Sequence, residues 1–170
     1  MGVFLSGQGE LPEYVRKRVV ILGVGNRLFG DDGFGPSTVQ LVLRSTDLPS
    51  DVSVLDVGTA VMPVLFDILL SDPGPRRLII LDTADFGKEP GELVRVPVEQ
   101  LPQTRGGVFS LHTFSAGSLL QELKDRKGVE VIILACQAES ISSEIKEGLS
   151  KPVEVAVSQA AQIVLEMARA

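Results

Sequence analysis

The side chains best suited to chemistry follow the apolar runs of this sequence. Asp31 and Asp32 come after the first run, and Asp56 and Asp82 end the second and third. The single histidine of the chain, His112, precedes a predicted helix. Carboxylates and an imidazole form a ligand set for zinc, nickel or iron, and they also serve as general acids and bases. The sequence therefore indicates a site at the ends of strands that is built mainly from carboxylates.

Two other side chains are candidates for a covalent nucleophile. Ser115 lies in TFSAG, which differs from the GxSxG nucleophile elbow by Thr113, and the stretch is predicted to be helical rather than strand-turn-helix. Cys136 could pair with His112. However, it follows a buried strand, which favours a small buried side chain instead. The residues alone leave the choice between a metal site and a nucleophile open.

The glycine-rich turn GVGNRLFGDDGFGP does not match the known phosphate-binding loops. Leu28 occupies the position where GxGxxG requires its third glycine, and no GK[S/T] sequence occurs. Asp31 and Asp32 would also place negative charge where a helix N-terminus attracts phosphate. One of these two aspartates could instead cap the following helix. The turn therefore favours a cation or a cation-bearing partner.

Charge and composition exclude several classes of protein. Lys and Arg number 16 against 22 Asp and Glu, so the net charge is −6 and the pI is about 4.8. This balance disfavours a nucleic-acid partner and an anionic membrane surface. One cysteine cannot form an intramolecular disulfide, and one histidine cannot supply a multi-histidine metal site. Metal or acid-base chemistry must therefore depend on carboxylates.

Short β-branched runs alternate with longer helical stretches, which predicts an α/β fold. We expect a single domain, residues 18–170, with a mostly parallel twisted sheet of about five strands between two helical layers. A polar leader, residues 1–17, precedes it. No signal peptide or membrane span is predicted, so a cytoplasmic location is expected. The predicted strands are 18–23, 52–57, 77–82, 92–96 and 131–135, and the predicted helices are 34–44, 60–70, 113–125 and 152–169.

In an open α/β sheet, ligands bind beyond the carboxyl ends of the strands. The polar residues that leave each predicted strand, with Gln137 and Glu139 after the last one, should therefore meet at one edge. Pro97 indicates that the fourth predicted strand lies at the border of the sheet.

Five blocks of the sequence together resemble the hydrogenase maturation endopeptidases, proteases that finish the large subunit of nickel-iron hydrogenases. The blocks are GVGNRLFGDDGFGP, LDVGT, LIILDTADFGKEPGE, SLH and ACQAES. GDDGFGP is most similar to the branch that serves the deazaflavin-reducing hydrogenases of methanogens. The resemblance implies a twisted sheet between helices, and cleavage of a C-terminal extension from the hydrogenase precursor after nickel insertion.

The resemblance also assigns site residues. Asp32, Asp82 and His112 take the positions of the family's nickel-contacting trio. Many relatives carry Glu at the first position, so Asp32 is one methylene shorter, and Asp31 could shift in to help. The supporting residues are Asp31, Gly25, Asn26 and Asp56, of which the glycine and asparagine shape the loop and Asp56 lines the cleft.

In this interpretation the nickel belongs to the substrate, and the protein holds no permanent cofactor. The expected partner is the large-subunit precursor, and the protein is expected to be a monomer. Hydrolysis could use a nickel-polarised carbonyl or a bound water, with Asp82 as general base. Two alternatives remain: a nucleotide- or flavin-binding α/β module, and a maturation chaperone that holds the precursor without cutting it.

Overall fold

A computed structural model describes residues 10–103, 108–109 and 116–170. It confirms the α/β fold, with one mostly parallel sheet between two helical layers. The strands are β1 (Val19–Val24), β2 (Val52–Gly58), β3 (Arg77–Asp85), β4 (Leu93–Val96), β5 (Val108–Phe109) and β6 (Glu130–Gln137). The helices are α1 (Phe34–Leu43), α2 (Val61–Leu70), α3 (Gly117–Lys127) and α4 (Lys151–Arg169).

The strand order is β2-β1-β3-β6-β4. The first four of these strands are parallel, β4 pairs antiparallel with β6 at the border, and the two residues of β5 pair antiparallel with β3. Five strands were expected, and the short β5 is an addition beside them. All six residues of β1 are buried, as expected for a central parallel strand covered on both faces.

The helices cover both faces of the sheet. α1 packs against α4 on one face of the sheet, where the two helices cover buried strand side chains such as Ile21 and Ile79. α2 and α3 pack on the opposite face, over Leu22 and Ile80. Neighbouring residues of a strand point to opposite faces, so the strands contribute to two separate apolar clusters. The sheet is therefore a rigid central layer that can position residues at its ends.

One difference from the predicted boundaries concerns Asp82. The prediction ended the third strand at this residue, whereas β3 continues to Asp85. The added residues form a strand because β6 runs alongside them, pairing with β3 as far as Ala84↔Gln137. A sequence pattern that stops at the first carboxylate does not include this pairing. Asp82 thus lies inside a strand, fully buried, rather than at its end.

Other predicted boundaries differ by one or a few residues. The last strand extends to Gln137 instead of ending at residue 135, and the final helix begins at Lys151. Residues 113–115 of the predicted third helix lie outside the described residues, and α3 runs from Gly117 to Lys127. Gly128 follows the last residue of that helix, and its φ of 67° is the left-handed cap conformation that glycine favours.

Part of the segment predicted as a polar leader packs on the fold. Glu13–Arg16 forms a short 3₁₀ turn, Val15 is buried, and the Tyr14 hydroxyl donates a hydrogen bond to Asp67 of α2. Among the described residues, no helix is both long enough and apolar enough to cross a membrane.

Candidate active site

The candidate site lies where the direction of the chain through the sheet reverses. β1 leads through α1 to β2 on one side, while β3 leads onward to β6 on the other side. The crevice beyond the carboxyl ends of β1 and β3 is thus the switch point at which open α/β sheets bind ligands. β3 pairs with β1 only as far as Gly23↔Leu81. Asp82 is therefore the first residue of β3 beyond its pairing with β1.

Asp32 is held in place by the glycine-rich turn. It lies in a short 3₁₀ helix, Asp31–Gly33, and only 8% of it is exposed. The Asn26 backbone N–H donates to Oδ2 of Asp32 at 2.8 Å and to its carbonyl oxygen at 3.1 Å. The Asn26 side chain in turn accepts a bond from the Leu28 N–H. The GxGN turn thus binds the predicted metal-contacting residue directly.

Gly25 is required at this turn for a steric reason. Its φ is +132°, and a Cβ at this position would lie 2.0 Å from the carbonyl oxygen of Asp32. Any side chain would push the Asp32 backbone away. The motif glycine therefore permits close approach of two backbone segments, and it does not contact phosphate.

Asp31 has a different set of partners. Its carboxylate accepts hydrogen bonds from the Glu139 N–H at 2.9 Å, from the Ser150 N–H at 2.7 Å and from the Ser150 hydroxyl at 3.0 Å. Gly33 is the N-cap residue of α1, so neither aspartate occupies the capping position. Instead, Asp31 reaches Ser150, the N-cap residue of α4.

A hydrogen bond joins the first loop to β3. The Thr83 hydroxyl donates to the carbonyl oxygen of Asp31 at 2.7 Å, and Thr83 is fully buried. This bond holds the turn that carries Asp32 against the strand that carries Asp82. Oδ1 of Asp82 accepts a bond from the Thr83 N–H at 2.8 Å.

Asp56 lies at the rim of an open depression next to the site. The depression has a volume of about 350 Å³ and is lined by the GxGN turn and the end of β2, including Gly25, Asn26 and Thr59. Asp56 forms an ion pair with Arg27 at 3.0 Å and accepts a bond from the Gly58 N–H. Three of the four predicted supporting residues, Gly25, Asn26 and Asp56, thus share one surface, and Arg27 balances the charge of Asp56.

Gln137 and Asp85 hold the loop that follows β3. The buried amide of Gln137 accepts bonds from the backbone N–H groups of Phe86 and Lys88 and donates to Asp85 at 3.0 Å. The N–H of Gly87 and this amide hold the pKa of the Asp85 carboxyl below its usual value. Glu139 is exposed, and its described contact with the site is the backbone bond to Asp31.

Cys136 does not have the environment of a nucleophile. It is fully buried in the apolar cluster between β6, α1 and α4. Burial, followed by the charge of Asp31, raises the pKa of the Cys136 thiol to about 12. A reactive cysteine requires the opposite shift and some exposure. The interpretation as a small buried side chain is therefore confirmed.

His112 and Ser115 lie outside the described residues, so the predicted third member of the trio and the alternative serine nucleophile stay predictions. Within residues 10–103 and 116–170, no three His, Cys, Asp or Glu side chains form a group that could hold a metal ion.

Two residues of the site were not found from the sequence. Thr83 and Ser150 both bond to Asp31, one from a strand and one from the start of α4. Ser150 precedes Lys151-Pro152, a signature of a helix N-cap, so its place was detectable. Its partner was not detectable, because the two residues are 119 positions apart.

Fold and site together define an α/β protein with three buried aspartates at the switch point of its sheet. A family model described as hydrogenase maturation protease matches residues 36–167. A Methanocaldococcus jannaschii protein named as a hydrogenase maturation protease is 36% identical over 151 residues, covering 88% of this chain and 96% of the relative. The coenzyme F420 hydrogenase subunit delta of Methanothermobacter thermautotrophicus is 30% identical, covering 87% and 92%. The chain belongs to the hydrogenase maturation protease family.

Solved structures agree with this assignment. The hydrogenase maturating endopeptidase HybD from Escherichia coli superposes with a TM-score of 0.72 at 29% identity, covering 89% of this chain and 92% of that one. The HybD protease from Thermococcus kodakarensis superposes with a TM-score of 0.69 at 25% identity, covering 89% and 99%. The resemblance noted from the sequence blocks is thus confirmed, and the protein is a protease.

Proposed function

We propose that this protease removes a C-terminal extension from the large-subunit precursor of a nickel-iron hydrogenase after nickel has been inserted. The observation that supports this most directly is the pair of buried aspartates, Asp32 and Asp82, on two segments joined by the Thr83–Asp31 hydrogen bond at the switch point. The described part of the crevice offers carboxylates and contains no exposed cysteine. Its chemistry therefore suits a cationic centre carried by the substrate.

Nickel in the precursor serves as the recognition signal in this proposal. Asp32, Asp82 and His112 bind at open coordination positions of the precursor's nickel, a role that the family resemblance assigns to them. Two carboxylates and one imidazole are an intermediate ligand set that nickel accepts. Three ligands from one protein leave the metal incompletely coordinated. The protease can therefore test for the metal without extracting it.

Cleavage is hydrolysis of one peptide bond. Water adds to the carbonyl carbon, the bond to nitrogen breaks, and one water proton is transferred to the departing amine. A carboxylate of the site, Asp82 in this proposal, accepts that proton and passes it on as general base. Substrate nickel polarises the carbonyl or the attacking water. An aspartic-type description of the protease follows from this division of roles.

The relatives suggest which precursor to use first. The relative from Methanothermobacter thermautotrophicus is named as a subunit of the coenzyme F420 hydrogenase, a deazaflavin-dependent enzyme. We therefore propose the large-subunit precursor of a deazaflavin-reducing hydrogenase as the first substrate to assay.

The deciding experiment compares nickel-loaded and nickel-free precursor with purified protein, and measures the released C-terminal peptide by mass spectrometry. We expect release only from the loaded precursor. Equal cleavage of both forms would contradict the role of nickel, and binding without cleavage would support the chaperone alternative.

Three variants test the assigned residues in the same assay. Asp32→Asn, Asp82→Asn and His112→Ala should each lower the cleavage rate by at least about 100-fold, because each removes a metal contact or the base. The two asparagines keep the size of the side chain, so folding of the buried positions is disturbed least. Wild-type rates in all three would remove these residues from the site.

A further inference from the structure

The carboxylate of Asp31 joins three segments that are distant in the chain. It accepts the backbone N–H of Glu139 after β6, and the N–H and hydroxyl of Ser150 before α4. Its own carbonyl oxygen accepts the Thr83 hydroxyl from β3. Only 2% of Asp31 is exposed. Both carboxylate oxygens are therefore occupied by partners within the fold.

This set of bonds determines the orientation of the 3₁₀ turn that also carries Asp32. A 3₁₀ helix has three residues per turn, so the side chains of Asp31 and Asp32 leave the turn about 120° apart. Because Asp31 is held against the start of α4, the side chain of Asp32 leaves the turn in a different direction, where the Asn26 N–H binds it. Rotation of the turn would move both side chains together.

We propose that Asp31 is a positioning residue, which orients Asp32 toward the precursor's nickel and does not bind the metal itself. This inference rests on the proposed function for the role of Asp32, but the structural coupling between the two aspartates does not. It assigns different tasks to two adjacent acids, of which the resemblance places only the second in the nickel-contacting trio.

A charge is required at position 31 because of the number of donors. Two backbone N–H groups bind different oxygens of the carboxylate. An asparagine offers one oxygen and turns an NH₂ group toward the second donor, which leaves that donor without an acceptor. The N-terminus of the 19-residue α4 also favours a negative charge at this place. Asp31→Asn therefore keeps the shape of the side chain but loses the anchor.

The first test measures the position of Asp32 without any assay of activity. Hydrogen exchange followed by NMR reports on the Asn26 amide, which bonds to Asp32. In Asp31→Asn we expect this amide to exchange at least about tenfold faster, whereas the Ile21 amide of β1 keeps its protection. Asp51→Asn is the matched control, because that carboxylate is paired with Arg18 at the surface. Unchanged protection of Asn26 in Asp31→Asn would overturn the proposal.

The second test separates positioning from simple stability. At a temperature where the variant is folded, Asp31→Asn should lower kcat/KM for the nickel-loaded precursor by about 100-fold, with a lower kcat and a higher KM, because Asp32 contacts the substrate's nickel and a displacement of about 1 Å costs this much. Ser150→Ala removes only the hydroxyl bond and should lower kcat by a much smaller factor. A lower melting temperature with wild-type kcat would show a merely structural role and overturn the inference.

The outcomes distinguish this inference from the proposed function. If the wild-type protein fails to cut the loaded precursor, the proposed function fails, while the exchange test still decides whether Asp31 orients Asp32. If the wild type cuts and Asp31→Asn cuts equally fast, only the inference fails. Should Asp31→Asn not fold, Ser150→Ala provides the exchange test instead, because it removes a donor to the Asp31 carboxylate.

Discussion

At the scale of single residues, three aspartates near the switch point have different hydrogen-bond partners. Asp31, Asp32 and Asp82 are all buried aspartates around one crevice. Asp31 accepts three hydrogen bonds from other segments, whereas Asp32 accepts the Asn26 N–H within its own loop. The sequence placed these acids at one edge, because strand ends must meet there. It could not divide their roles, because the partners of Asp31 come from residues more than 100 positions away.

The reactivity of Cys136 tests whether its thiol is buried and protonated in the native protein. Because the thiol is fully buried and its pKa is raised to about 12, the native protein should not react with iodoacetamide at about pH 8. The chain unfolded in urea should react fully at the same pH. Mass spectrometry of the two samples checks this. Rapid alkylation of the native form with loss of cleavage would support the thiol-protease alternative.

The same shift in pKa makes a prediction about stability and pH. Below about pH 9, the ordinary pKa of the thiol, Cys136 is protonated in the folded and the unfolded chain, and its ionisation leaves the free energy of unfolding unchanged. From about pH 9 to about pH 12, the unfolded chain loses the proton while the folded protein retains it, so stability falls.

Cys136→Ala removes this dependence. Urea unfolding at about pH 7 and about pH 10 should show a smaller loss of unfolding free energy in the variant than in the wild type. The difference between the two proteins isolates the thiol from the other groups that titrate in this range. An equal loss in both would contradict a raised pKa.

At the scale of elements, hydrophobic pattern predicted the order and type of the helices and strands well. The buried run of β1 and the helical stretch of α1 were placed within one residue. The ends of β3 and β6 were placed too early, because polar residues such as Asp82 and Gln137 are tolerated in these strands only through mutual pairing. That pairing is a tertiary contact which a local pattern does not contain. The roles of the glycine-rich turn also depend on such contacts.

Alanine substitutions at Gly25 and Gly128 separate two effects, the close approach of two backbone segments and the strain of a positive φ. Both have positive φ, but a Cβ on Gly25 would meet the Asp32 carbonyl at 2.0 Å, whereas a Cβ on Gly128 meets nothing within 4 Å. Gly128→Ala should cost about 1–2 kcal/mol of stability and leave cleavage intact. Gly25→Ala should abolish cleavage, because it displaces Asp32.

Thermal unfolding and the precursor assay on these two variants check this prediction. Cleavage at the wild-type rate by folded Gly25→Ala would show that the position of the Asp32 backbone does not matter for the reaction.

At the scale of the whole molecule, part of the net charge of −6 is concentrated at the switch point of the sheet. Three of the buried polar residues around the switch point are aspartates, while the basic Arg27 at the rim is paired with Asp56. In nucleotide-binding α/β folds, this same crevice offers backbone N–H groups at a helix N-terminus to phosphate. Here a 3₁₀ turn with two aspartates directly precedes α1. Such modules are also open α/β sheets, but here the charge at the switch point is opposite to what phosphate needs.

This difference predicts that the nucleotide-binding alternative fails. Isothermal titration with ATP, NAD and FMN should show no binding up to about 1 mM, because each phosphate would approach Asp31 and Asp32 at short range in a partly buried place. The absorbance spectrum of the purified protein should likewise lack a flavin band. Stoichiometric binding of any of the three would show that backbone donors in the turn outweigh the aspartates, and it would reassign the crevice from a metal-bearing polypeptide to a phosphate ligand.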